Sequence, residues 1–174
     1  EEDGKISKML TTHDIMVAQG SSPYFIFREI QAQRRISGLY ELSRKIPMVV
    51  RPLIEEGAKA CNVSRMISVL NDHVLERLLM LLQEELGKAP LPFSWLLIGR
   101  EGRHEQVFKI SLTNALVYDD SPDESTGREA KEYFRTLSQH AIRHLAACGY
   151  RPGPGDITAA NAKWRQPRSR WNGY

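Results

Sequence analysis

The chain has 174 residues, a net charge of +3 and a composition ordinary for a soluble globular protein. That length fits one domain, or one domain with a helical annex, and suffices to bury a core. So small a charge demands no nucleic-acid partner, no apolar run approaches the roughly 18 residues of a membrane span, and no charged-then-apolar signal peptide opens the chain.

These absences point to the cytoplasm. Cys61 and Cys148 lie far apart without metal spacing. They read as free thiols in a reducing compartment, with a single bridge as the alternative. The opening EEDGK has no initiating Met and reads as the middle of a longer protein. Residues 4–20, GKISKMLTTHDIMVAQG, resemble the last strand and helix of a CBS module; an extended arm packed on the domain is the other reading. His13 beside Asp14 is expected to be a surface hydrogen-bonder, since a metal site needs three or four ligands.

Three helices are predicted next. Ser22 caps the first and Pro23 opens it, with Tyr24, Phe27 and Ile30 facing inward and Phe25 and Ile26 thickening that face. The second starts near Ser37, and Leu39, Leu42, Ile46, Val49, Val50 and Leu53 form its stripe. Pro47 and Pro52 should bend or split it, and Gly57 ends it. The third is capped by Asn62 or Ser64 and closed by Gly87. Val63, Met66, Ile67, Leu70, Val74, Leu78, Leu81 and Leu82 face the core. Asn71, Asp72 and His73 interrupt this pattern. They read as a solvated face with one buried hydrogen bond, or as a point where Asn71 or Asp72 reaches a cleft. KAPLP (residues 88–92) is the hinge into a sheet.

Residues 93–120, FSWLLIGREGRHEQVFKISLTNALVYDD, read as strand, glycine turn, connector and strand. Phe93 to Ile98 and Ala115 to Tyr118 are the apolar runs. Gly99 and Gly102 bracket Arg100 and Glu101. The bracket serves either as a plain turn or as a phosphate cradle with free N–H groups. SPDESTG (121–127) reads as a loop. Its neighbourhood carries Asp119, Asp120, Asp123 and Glu124, a solvated turn or a source of displaced metal ligands. A helix from Glu129 to Cys148 buries Ala130, Phe134, Leu137, Ala141 and Leu145. His140 and His144 share one face of it and read as a surface pair, because Ala141 stands where a zinc motif needs Glu. After Gly149 and Gly153-Pro154-Gly155, a strand is expected over Asp156 to Ala160. In the tail KWRQPRSRWNGY, Trp164, Trp171 and Tyr174 alternate with Lys163, Arg165, Arg168 and Arg170. The tryptophans dock on the domain, or the segment binds single-stranded nucleic acid.

Gly99, Gly102, Arg103, Glu105, Gln106, Asn114 and Ala115 match a pattern G-S-x-G-R-x-E-Q followed by T-D-x-D-N-A. Tyr150, Pro154, Gly155, Ala159, Asn161, Lys163 and Trp164 match a later segment, G-Y-x-x-x-P-G-x-V-M-A-x-N-P-x-W. On these residues the chain resembles the nucleotidyltransferase domain that follows CBS or cyclic-nucleotide-binding modules in bacterial signalling proteins. That domain is related to the N-terminal part of protein-PII uridylyltransferase. The resemblance covers nearly the whole chain.

It implies an α+β fold: an N-terminal antiparallel helical annex, then a small nucleotidyltransferase-like mixed sheet with a covering helix. The expected division is 1–20 as the tail of an upstream CBS-like module or a linker, 21–88 as helical bundle and 89–174 as the nucleotidyltransferase-like core. It implies Gly99, Gly102, Arg103, Glu105, Gln106 and Asn114 as nucleotide- or phosphate-binding residues, and the charge of the turn adds Arg100. A further helical domain follows in relatives, so the chain is expected to stop early.

The departures bear on chemistry. Arg100 replaces the turn serine, Ile110 the threonine, and Ser111 and Thr113 the two aspartates that hold Mg²⁺ in relatives. Thr158 and Ala162 replace Met and Pro. Asp156 is the only acid near a third carboxylate position. Neutral hydroxyls do not supply the anionic oxygen that magnesium needs. Three readings follow. One is an active transferase that uses Mg²⁺ through displaced acids. The second is a degenerate relative that binds a nucleoside triphosphate or another anion; from Gly99 to Asn114 it sets Arg100, Arg103 and Lys109 against Glu101 and Glu105. The third is an adaptor relaying an upstream regulatory module to a protein target.

Overall fold

The computed structural model describes residues 23–171, apart from 107, 109 and 110. The expectations for residues 1–20, for His13, for Ser22 as a cap, and for Lys109, Ile110 and Tyr174 lie outside the described residues. The fold is α+β. Helices α1 (Pro23–Ala32), α2 (Ile36–Glu55) and α3 (Ala60–Leu86) come first. Strands β1 (Phe93–Leu97), β2 (Ser111–Leu112) and β3 (Asn114–Tyr118) follow, then α4 (Glu124–Ala147), β4 (Arg151–Pro152), β5 (Arg165–Pro167) and the short α5 (Arg168–Trp171). No helix among the described residues is long and apolar enough to cross a membrane.

Helix α1 buries Ile26 and Ile30, four apart, while Tyr24 and Phe25 are exposed. Its inward face is therefore turned from the expected one; Phe27 packs edge-on against His73 of α3, ring centres 4.5 Å apart. Of the bend or split expected at Pro47 and Pro52, the split does not occur: helix α2 is one element through both. Leu39, Leu42, Ile46, Val49 and Val50 are all buried, so the apolar stripe outweighs the lost backbone bonds. Helix α3 starts two residues before Asn62 and four before Ser64. Neither caps it: Lys59 occupies the N-cap without a side-chain bond, and its carbonyl accepts from Asn62 and Val63. Gly87 closes it as expected, at φ 89°.

Helix α4 begins at Glu124, five residues earlier than its periodicity suggested. Asp123 caps it, accepting from the Thr126 N–H at 2.8 Å. The expected loop therefore ends at Asp123. Its predicted face is buried in full: Ala130, Phe134, Leu137, Ala141 and Leu145. The histidine pair is not merely a surface feature. Tyr40 Oη of α2 lies 2.6 Å from His144 Nδ1, half-buried between two helices. Burial also lowers the His144 pKa, with Arg143 and His140 adding to the effect.

The sheet has the order β1-β3-β5. Strand β1 is antiparallel to β3, from Phe93 opposite Tyr118 to Leu97 opposite Asn114; β5 is parallel to β3. Central β3 is buried at Asn114, Ala115, Leu116 and Tyr118, as a strand covered on both faces should be. A separate parallel pair joins β2 to β4. Residues 156–160 are not a strand. Gly155 at φ 82° and Asp156 at φ 50°, held by Asn161, fold this segment into a turn, and the third sheet strand is Arg165–Pro167 instead. That strand buries Arg165, whose Nη1 donates to the carbonyls of Ala159 and Ala160. Trp164 and Trp171 are half-buried, ring centres 6.1 Å apart. One apolar cluster runs from Ile26 in α1 to Ala159 beyond the sheet.

Phe134 joins α4 to the sheet, with no exposed surface and rings from Tyr118, Phe93 and Tyr133 within 4.7 to 5.4 Å. Phe134→Ala should lower the unfolding free energy in urea by about 3–5 kcal/mol. A loss under about 1 kcal/mol would mean that α4 is not seated there.

Candidate anion site at the glycine turn

Strand β1 ends where the Ile98 N–H donates to the Thr113 carbonyl at 2.9 Å, so the turn starts one hydrogen bond from β2 and β3. The chain then coils on itself: Arg103, His104 and Glu105 donate to the carbonyls of Gly99, Glu101 and Arg100. Gly99 has φ 71° and needs no side chain there. A Cβ on Gly102 would stand 2.5 Å from the Leu97 carbonyl oxygen, so only glycine lets the coil close on the strand. The N–H groups of residues 99–102 make no backbone hydrogen bond among the described residues. That is the condition for an anion cradle.

The side chains around the turn divide into two sets. Gln106 is buried, and its Oε1 accepts from Asn71 Nδ2 of α3 at 2.6 Å. Asn114 is buried and accepts from the Ala159 N–H at 2.8 Å, while its own N–H donates to Ile157. These two amides hold the frame. Arg100 and Arg103 are exposed, but Arg103 gives both Nε and Nη2 to Glu105 Oε2, at 3.0 and 2.8 Å. That bond holds the Glu105 pKa below its ordinary value. A groove of about 470 Å³ opens between the turn and α3, lined by Cys61, Ser64, Arg65, Arg103, His104 and Glu105. Arg100, Ser111 and Thr113 do not line it.

Strand β2 alternates: Ser111 is exposed, Leu112 buried and Thr113 half-buried. Both hydroxyls therefore lie on one face. Gly153 of the neighbouring segment marks the spot. A Cβ there would meet Ser111 Oγ at 2.9 Å and Thr113 Oγ1 at 2.9 Å. These are the positions from which, in the resemblance, two aspartates grip Mg²⁺. Two neutral hydroxyls do not fit a divalent cation. The nearby acids have other partners. Asp123 caps α4, Asp120 accepts from the Ser169 N–H and hydroxyl, Asp119 lies 3.7 Å from Arg168, and Asp156 accepts from Asn161. No cluster of three or more His, Cys, Asp or Glu suited to a metal occurs among the described residues.

In the sequence Glu101 counts only as a negative charge of the turn, with no sign that it is buried. Its side chain is buried instead, 5% exposed, beneath the turn. Burial pushes its carboxyl up to about 7; the Gln106 amide works against the rise and Asp72 adds to it. Tyr150 lies in the same cluster, its phenol pushed well above the ordinary value by burial. Glu101 Oε2, Tyr150 Oη, Asn71 Oδ1 and Asp72 Oδ1 have no hydrogen-bond partner among the described residues. Asp72 Oδ2 lies 3.7 Å from His104 Nδ1, so α3 meets the turn through both of its interrupting polar residues, Asn71 and Asp72.

Residues 44–174 match the family described as "Putative nucleotidyltransferase DUF294". The chain belongs to that family. No curated protein and no solved structure matches it.

The Glu101 carboxyl makes stability fall as pH rises. Unfolded, it titrates near 4.5; folded, near 7. Its contribution is full below about pH 4.5 and is lost as the pH rises to about 7, a difference on the order of 3 kcal/mol. Glu101→Gln should therefore gain on the wild type in urea unfolding between pH 4.5 and 8. Parallel pH profiles for the two proteins would show that Glu101 ionises as if exposed.

Proposed function

We propose that this domain is a signal-transduction module on the nucleotidyltransferase fold, similar to protein-PII uridylyltransferase. In this reading it binds a nucleoside triphosphate or another phosphate-bearing anion without the carboxylate-held magnesium of active relatives. The observation that carries this reading is the pair of hydroxyls, Ser111 and Thr113, sharing one face at Gly153 beside a glycine turn whose N–H groups make no backbone hydrogen bond among the described residues. The turn would take phosphate oxygens through its backbone, and Arg100 would supply charge. Arg103, already engaged by Glu105, would have to exchange that partner to contribute.

The signalling part rests on two ties between α3 and the turn, the first of them buried. Asn71 to Gln106 and Asp72 to His104 connect the helical bundle to the cradle, so a displacement of α3 would be felt at the turn. An upstream regulatory module of CBS type, acting through residues 1–20, would supply that displacement, and the whole would work in the cytoplasm. A displaced-acid transferase is the weaker reading, because the acids at 119, 120, 123 and 156 are engaged elsewhere.

Calorimetric titration with each nucleoside triphosphate, with magnesium and with EDTA, tests this directly. At least one should bind in EDTA, and Arg100→Ala should weaken it about tenfold or more, as expected for one charge-assisted contact. Binding in neither condition would overturn the reading. The double variant Ser111→Asp with Thr113→Asp should create magnesium affinity where the wild type has none; an unchanged affinity would mean that these two positions do not face a common seat.

A further inference from the structure

The β2–β4 ladder places a cation beside the two hydroxyls at 111 and 113. Strand β4 pairs parallel with β2, Ser111 opposite Arg151 and Leu112 opposite Pro152. Residues opposite each other in a ladder carry their side chains on one face, and residues two apart repeat it. Ser111, Thr113, Arg151 and Gly153 therefore share a face. The distances from Gly153 to both hydroxyls agree with this. Leu112, pointing the other way, is 1% exposed, while Ser111 and Arg151 are exposed. Arg151 has no ion-pair or hydrogen-bond partner among the described residues. Arg103 pairs with Glu105, Arg165 with the 159 and 160 carbonyls and Arg168 with Asp119, so Arg151 joins Arg100 as a cation whose side chain is available to a ligand.

The geometry points to Arg151 as the residue that replaces the metal: with Ser111 and Thr113 it forms a metal-independent seat for a phosphate group. This rests on the anion-binding reading above and adds a second charge donor to Arg100. A phosphate needs positive charge and hydrogen-bond donors. A guanidinium offers both in a fixed fork, and two hydroxyls on the same face add donors that carboxylates cannot. An aspartate at 111 would instead face Arg151 and occupy its charge. With hydroxyls at 111 and 113 instead, the Arg151 charge stays available to an anion. Gly153 has its part, since any side chain there would fill the space beside both hydroxyls.

The test is calorimetric titration of the whole chain with inorganic pyrophosphate in EDTA. The wild type should bind, Arg151→Ala should weaken binding about tenfold or more, and Arg151→Lys should restore part of it, a point charge without the fork. Ser111→Asp should also abolish this binding, by pairing with Arg151. Arg151 is exposed, so the urea midpoint of Arg151→Ala should match the wild type and separate lost binding from lost fold. Equal affinity in wild type and Arg151→Ala, or pyrophosphate binding that requires magnesium, overturns the assignment. If nucleotides still bind in EDTA and respond to Arg100→Ala, the anion-binding reading survives that result; if the wild type binds neither nucleotide nor pyrophosphate, both fall.

Discussion

Leu112 sits with almost no exposed surface between two side chains that face the opposite way. Strand β2 is two residues long, and ladder bonds alone hold so short an element weakly. What holds its register is the leucine. A slip of one residue would expose it and turn Ser111 and Thr113 into the core, losing about 1.5–3 kcal/mol of burial and stranding two hydroxyls. The chemistry available at the site follows from that single orientation. The hydroxyls must meet solvent together, on the face that also carries Arg151 and Gly153.

Two buried amides extend the constraint outward. Asn114 begins β3 and pins the turn at 157–161; Gln106 ends the glycine turn and reaches α3. Each is a side chain acting as a backbone strut, satisfying a group that no strand or helix would satisfy. Because one apolar cluster underlies both, the helical bundle and the sheet meet at the turn rather than across a linker.

The same junction carries its own cost. Glu101 is folded under the turn with a carboxyl oxygen lacking a partner, close to Asp72 and Tyr150. Natural cores avoid such groups unless something is gained. Here burial keeps the Glu101 carboxyl neutral to about pH 7, so the underside of the turn carries no charge where an exposed carboxylate would already be ionised.

Periodicity alone determined which residues of the two longest helices face the core: the buried stripes of α3 and α4 were legible almost residue for residue, because helical spacing is a local property. So were the glycine turn and the spacing of 111 and 113, since alternation along a strand is local too. The start of α4 was legible in principle from Asp123-Glu-Ser-Thr, a capping pattern that periodicity overlooks. What lay beyond the sequence was every choice made between distant segments. Tertiary packing kept α2 whole through two prolines, moved the third strand from 156–160 to Arg165–Pro167, buried Glu101 and set Arg151 opposite Ser111. Those outcomes depend on contacts between residues dozens of positions apart, whose free energy no local pattern contains.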